Sequence, residues 1–124
     1  MGIISLDGGV FMGIFEKEID ITKNIRIIER LKSEMLAEIA NLFRTLVNGV
    51  TYEVHDVLAD TLSNIILISY LLGRRLGISY NAIEMKMRNK IRLGLVESID
   101  NDRGGSDLME LSKHLDSSRS RKDD

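Results

Sequence analysis

Ile28-Glu-Arg-Leu-Lys-Ser-Glu-Met-Leu-Ala-Glu-Ile-Ala-Asn-Leu-Phe-Arg-Thr-Leu46 runs without a proline or glycine. Within it Ile28, Leu31, Met35, Ile39, Leu42 and Leu46 recur at steps of three and four. At 100° per residue these positions form one apolar stripe, the pattern of an amphipathic helix. Glu38 projects into that stripe, where an unpaired carboxylate is costly. Glu34 lies one turn earlier at the border, followed along the same edge by Asn41 and Thr45. The helix is expected to begin at a cap near Asp20 or Thr22 and to run to about Asn48, with Gly49 ending it.

A second helix follows the Asn48-Gly49 turn, with Thr51 as its cap. Val54, Val57, Thr61, Ile65, Ile68 and Leu72 make its main apolar face. Glu53, Asp56, Asp60 and Asn64 make a polar ridge beside it, and the ridge continues as Leu67 and Leu71. From Ile65 to Leu72 the helix is therefore apolar nearly all round, which requires more than one neighbour. One partner helix cannot cover it, so a dimer or larger bundle is expected.

Gly77 suits the C-terminal cap of this helix. Ser79 can cap a third helix, from Tyr80 to about Leu93, ended by Gly94. Ile83, Met87 and Ile91 form its apolar side, and Lys86, Asn89 and Lys90 share another side. A loop from Asp100 to Gly105 and a short helix from Ser106 to Leu115 follow. Residues 1–19 form an arm in which Asp7-Gly8-Gly9 reads as a hairpin turn. Residues 116–124 read as a disordered tail, since Ser117 to Asp124 holds no apolar residue. The domain proper is thus expected over residues 20–115.

Composition narrows the class. The chain has 124 residues, 44% of them apolar and 29% charged, enough for one modest core. The absence of proline and the 5% aromatic content favour helices over a strand-rich fold. No cysteine is present, which excludes disulfides and thiolate zinc sites and fits the cytoplasm. A net charge of -2 gives no reason to expect nucleic-acid binding. The longest apolar run, Ile65 to Leu72, is too short to span a bilayer, and no signal peptide is read at the start.

The acids carry the chemistry. Counting outward from Gly49, antiparallel pairing puts Glu38 level with Asp60, Asn41 or Leu42 level with Asp56, and Glu34 level with Asn64. Two to four carboxylates would then share a small volume. Such a group suits Mg²⁺ or Mn²⁺, whose hard-oxygen shell is completed by waters and substrate phosphates. Asp60 could act as base on a metal-bound water. Lys86, Asn89 and Lys90 together suit phosphate oxygens. The bland reading stands beside this one. On it Glu53 serves only the helix dipole, Asp56 and Asp60 are solvated, and Glu38 pairs with an Arg or Lys. His55 lies about 100° from Asp56 around the helix and His114 is near the tail, so neither is read as a ligand.

Three segments resemble a known family: Glu53-Val-His-Asp56-Val-Leu-Ala-Asp60, Leu71-Leu-Gly-Arg-Arg-Leu-Gly-Ile-Ser79 and Lys86-Met-Arg-Asn89-Lys90. They are similar to the MazG-like, all-α nucleoside triphosphate pyrophosphohydrolases, over about residues 20 to 115. The resemblance implies an antiparallel helical bundle completed by oligomerisation into a dimer or tetramer. It implies Mg²⁺ held by Glu34, Glu38, Glu53 and Asp56, and phosphate contacts from Lys86, Asn89 and Lys90. It implies hydrolysis of a nucleoside triphosphate to the monophosphate and pyrophosphate. One position departs: Met35 stands where the family carries an acid, and a thioether is a poor match for magnesium. Weak or lost activity is therefore expected. The alternative is a non-catalytic helical dimer that binds a nucleotide or a protein partner.

Overall fold

The computed structural model describes residues 7–101 and 105–123. Those residues form four α-helices and no strand: α1 (Asp7–Leu46), α2 (His55–Arg75), α3 (Tyr80–Asn101) and α4 (Gly105–Asp123). A 3₁₀ turn, Tyr52–Val54, leads into α2. The all-α class expected from the sequence is observed. The chain divides into two compact units, one ending at Ile78 and the other beginning at Ser79.

The first unit is the antiparallel pair α1–α2. Asn24 meets Arg75 at one end, Glu38 meets Asn64 in the middle, and Asn41 meets Thr61 one turn further on. Leu31 and Ile68 are the buried apolar side chains of the seam, and Thr61 is buried between them and the turn, 2% exposed. Gly49 closes the end of α1 through its amide, 3.0 Å from the Leu46 carbonyl oxygen, with φ +87°.

The end of α2 is a Schellman motif. The Ile78 amide donates to the Gly73 carbonyl at 2.8 Å, and the Gly77 amide donates to the Arg74 carbonyl at 3.1 Å. Gly77 has φ +87°, the left-handed conformation that glycine adopts without steric cost. Asn24 also donates to the Arg75 carbonyl at 3.2 Å, satisfying one of the carbonyls a helix end leaves open. Ser79 caps α3 as expected, its hydroxyl accepting the Ala82 amide at 3.0 Å.

The second unit is the pair α3–α4. Arg88 on α3 donates to Asp116 on α4 at 2.8 Å and to Glu84 on its own helix at 3.2 Å. The bonds to Asp116, then to Glu84, raise the Arg88 guanidinium further above its ordinary pKa, so it stays charged. Ile91 is buried on the same side of α3.

Several boundaries differ from the sequence reading. Asp7-Gly8-Gly9 is the first turn of α1 and not a hairpin turn, and α1 begins there rather than near Asp20 or Thr22. Residues 1–6 of the expected arm lie outside the described residues. Gly94 does not end α3, which continues to Asn101. A Cβ at Gly94 would stand 2.7 Å from Leu108 Cδ1, so glycine is there for a close helix–helix approach. α4 runs through residues 117–123, where no structure was expected. Its acidic first turn (Asp107) suits the helix dipole.

The stretch Tyr52–Arg75 is, by length and composition alone, apolar enough to cross a bilayer, with a mean hydropathy of 1.3 over its best window. The expectation from Ile65 to Leu72 counted only the uninterrupted run. A core helix of a soluble protein passes the same test, and α2 lies along α1 with polar side chains bonded across the seam.

Candidate functional site along the acidic edge of the first unit

The site begins with a polar layer inside an apolar seam. Asn41 Nδ2 donates to Thr61 Oγ1 at 3.2 Å, and that hydroxyl donates to the Val57 carbonyl at 2.9 Å. Thr45 donates to the Asn41 carbonyl at 2.8 Å. One turn away Asn64 Nδ2 donates to Glu38 Oε2 at 3.3 Å. Glu38, Asn41 and Asn64 are half-buried. Among the described residues no Lys or Arg forms an ion pair with Glu38. The pairing with a cation that would explain a half-buried acid is therefore absent there, and Asn64 is the group that holds it.

These bonds fix the register, and it differs from the expected one. Near the site, α1 residues meet α2 one turn later than the count from Gly49 gave. Glu38 is level with Asn64 rather than Asp60, and Asn41 with Thr61 rather than Asp56. The cause is the connection. Residues 47–54 are an open turn followed by a 3₁₀ turn, so the fold-back centres nearer Thr51 than Gly49.

The consequence for the acids is direct. Asp56 lies two turns before Asn64, roughly 12 Å along α2 at 1.5 Å per residue. Glu53 lies further still, in the 3₁₀ turn, and both are exposed. Glu34 is exposed at the other end of the edge, 3.7 Å from Arg30 on its own helix. The α1–α2 pair thus strings Glu34, Glu38, Asp60, Asp56 and Glu53 along one edge. It does not gather Glu34, Glu38, Glu53 and Asp56 around one point. Among the described residues no three Asp, Glu, His or Cys side chains form a metal-binding group.

Magnesium would have to be held in a sparser mode than a four-carboxylate centre. Magnesium commonly takes one or two protein carboxylates and completes its octahedron with waters and substrate phosphates. Glu38 has one oxygen bonded to Asn64, and among the described residues its other oxygen has no partner. Asp60, one turn before Asn64 on the same ridge, is the α2 acid nearest in register. The residue that would hold a cation is therefore Glu38, and Asp60 is the acid that would act on its water.

Lys86, Asn89 and Lys90 lie on α3 in the second unit, and all three are exposed. Asn89 stands between the exposed apolar residues Met85 and Leu93, four positions to either side. His55 is exposed with its ring 6.2 Å from that of Tyr52, and His114 is exposed on α4. A cavity of about 230 Å³ between α3 and α4 is lined by Arg88, Arg92, Ser112 and Asp116 over an apolar floor. Ligand pockets usually run to roughly 300–1,000 Å³, and this cavity lies below that range.

Sequence reasoning missed the roles of Asn41, Thr61 and Asn64. Their signal was present. Thr61 sits among the apolar positions of α2, as Glu38 does on α1. Two polar residues at core positions of adjacent helices should be tested as partners of their neighbours.

An all-α protein with a half-buried carboxylate on an acid-lined helix pair defines the class. The chain belongs to the MazG-like family, whose model matches residues 21–108. Neither the curated proteins nor the solved structures include a match to it.

Proposed function

We propose that this protein is a magnesium-dependent nucleotide pyrophosphohydrolase of low activity, acting in the cytoplasm. Its substrate is a nucleoside triphosphate, which water splits into the monophosphate and pyrophosphate. The observation that carries the reading is Glu38, half-buried in the α1–α2 seam, joined to a neutral amide and lacking a basic partner among the described residues. Membership of the MazG-like family supports the reaction type.

In this reading Glu38 holds the cation, with waters and substrate phosphate filling the rest of its shell. Bound there, magnesium or manganese would neutralise phosphate charge and lower the pKa of a water. Asp60 takes the proton from the attacking water. Glu34, Glu53 and Asp56 line the rest of the edge and favour a cation arriving with the phosphates. The family resemblance assigns phosphate contacts to Lys86, Asn89 and Lys90. Met35 removes one oxygen ligand from the edge, which lowers activity. A homo-oligomer completes the bundle, because few apolar side chains are buried among the described residues.

The second reading is a non-catalytic helical dimer that binds a nucleotide or a protein. Met35 and the spread of the acids favour it. Incubation with a panel of canonical and modified nucleoside triphosphates separates the two. Enzyme predicts monophosphate and pyrophosphate in equal amounts, only with divalent metal. Diphosphate with inorganic phosphate, or silence over the whole panel, would sink the enzymatic reading.

A further inference from the structure

We infer that the cavity between α3 and α4 binds a small aliphatic carboxylate. It lies wholly within the second unit and shares no residue with the acidic edge of the first.

The cavity wall is built in layers. The Arg88–Asp116 bond and the close approach of Gly94 to Leu108 set α3 and α4 antiparallel. In the first layer Arg88 Nη1 donates to Asp116 Oδ1 at 2.8 Å. One turn on along α3 is Arg92, and one turn back along α4 is Ser112, so these two form the next layer. Both line the cavity. The layers differ in one respect. Arg88 has carboxylate partners in Asp116 and Glu84, whereas Arg92 forms no ion pair among the described residues. A hydroxyl stands across from Arg92 where a carboxylate stands across from Arg88. Ser112 is half-buried, and among the described residues its hydroxyl makes no hydrogen bond. A carboxylate from solution would therefore supply at Arg92 what Asp116 supplies at Arg88. It would accept from the guanidinium, whose fork matches two carboxylate oxygens, and from the Ser112 hydroxyl.

The floor sets the rest of the ligand. Ile91 is buried there, and Leu95 and Leu115 are half-buried. These side chains favour an alkyl tail, which an inorganic anion lacks. A cavity of about 230 Å³ has room for roughly eight groups of about 30 Å³ each. A carboxylate carrying a short chain fits within it. Arg92 is exposed, so water and salt screen its attraction and the affinity expected is millimolar.

The test titrates amide chemical shifts of the full chain at low salt with butyrate, butylammonium or inorganic phosphate. Wild type, Arg92→Gln, Ser112→Asp and Lys113→Gln are compared, and each apo melting temperature is recorded. Butyrate should give saturable shifts along the cavity wall in wild type, and butylammonium none. Arg92→Gln should weaken butyrate by about tenfold or more, as loss of a charged hydrogen-bond partner does. Ser112→Asp places a carboxylate across from Arg92 within the chain. It should raise the apo melting temperature and abolish butyrate binding. Lys113→Gln removes an exposed charge of α4 that does not line the cavity, and should bind as wild type does. No saturable shift in wild type at tens of millimolar butyrate would overturn the inference. So would wild-type affinity in Arg92→Gln or Ser112→Asp, or an equal loss in Lys113→Gln. Phosphate binding as tightly as butyrate would overturn it too, because the apolar floor would then contribute nothing.

Discussion

Thr61 shows how one hydroxyl can set the geometry of a site. It is almost fully buried, accepts from Asn41 and donates to its own helix. Thr61→Val keeps the shape but leaves the Asn41 amide without its acceptor. Stranding a buried donor costs about 1–3 kcal/mol. Urea unfolding should therefore give a lower midpoint at an unchanged slope. A midpoint equal to wild type would mean that Asn41 finds another partner and that the layer does not fix the seam. Glu38 was legible as the outlier from the sequence alone, because a carboxylate in an apolar stripe is rare. What it bonds was not legible, since that depends on a register that local pattern does not encode.

At the scale of elements, the glycine turns and the Ser79 cap were legible, and the continuations were not. Asp20 or Thr22 does not start α1, and Thr51 does not cap α2, whose N-cap is Val54. Gly49, Gly77 and Ser79 stand where turn chemistry demands them, and each behaves as its residue type predicts. Gly77→Ala forces a Cβ into the left-handed region, at about 1–2 kcal/mol. A lower melting temperature should result, and no change would mean that the Schellman turn at the end of α2 can reorganise.

Gly94 misled for a physical reason. Glycine at a helix end and glycine at a helix crossing look alike in a sequence. Only the approach of Leu108 separates them. Gly94→Leu should destabilise α3–α4 by about 1–3 kcal/mol through overpacking. Gly94→Ala should change little, because about 1 kcal/mol of helix propensity offsets the displaced Leu108 side chain. Thermal melts of the two variants check the pair of outcomes. Equal melting temperatures would mean that α4 does not pack closely there.

The register of α1 on α2 belongs to this scale as well. A 3₁₀ turn before α2 moves the fold-back by two residues. That is enough to shift the pairs Glu38–Asn64 and Asn41–Thr61 by one turn and to draw the expected carboxylate cluster out into an edge.

At the scale of the whole molecule the question is what covers the apolar surface. Among the described residues only Leu31, Ile68 and Ile91 are buried apolar side chains. Leu36 and Phe43 on α1 are 70% and 65% exposed, and with Ala40 between them they form a second stripe at steps of four and three. On α2, Ile66 and Leu67 are also more than half exposed. The all-round apolar pattern from Ile65 to Leu72 made the need for a partner legible, though not its geometry. A second copy of the chain is the proposed cover. Phe43→Asp should shift the protein toward monomer in sedimentation velocity at micromolar concentration, and the monomer should melt earlier. A wild-type chain that sediments as a monomer would contradict homo-oligomerisation directly.

The central claim is that the acidic edge holds a divalent cation through Glu38. The most direct measurement is the melting temperature with and without millimolar Mg²⁺ or Mn²⁺, for wild type, Glu38→Gln and Glu53→Gln. Ligand at 100 times its dissociation constant stabilises the native state by about 2.7 kcal/mol. The account predicts a rise of several degrees in wild type, a smaller rise in Glu53→Gln and none in Glu38→Gln. No rise in wild type, or an equal rise in Glu38→Gln, would contradict it.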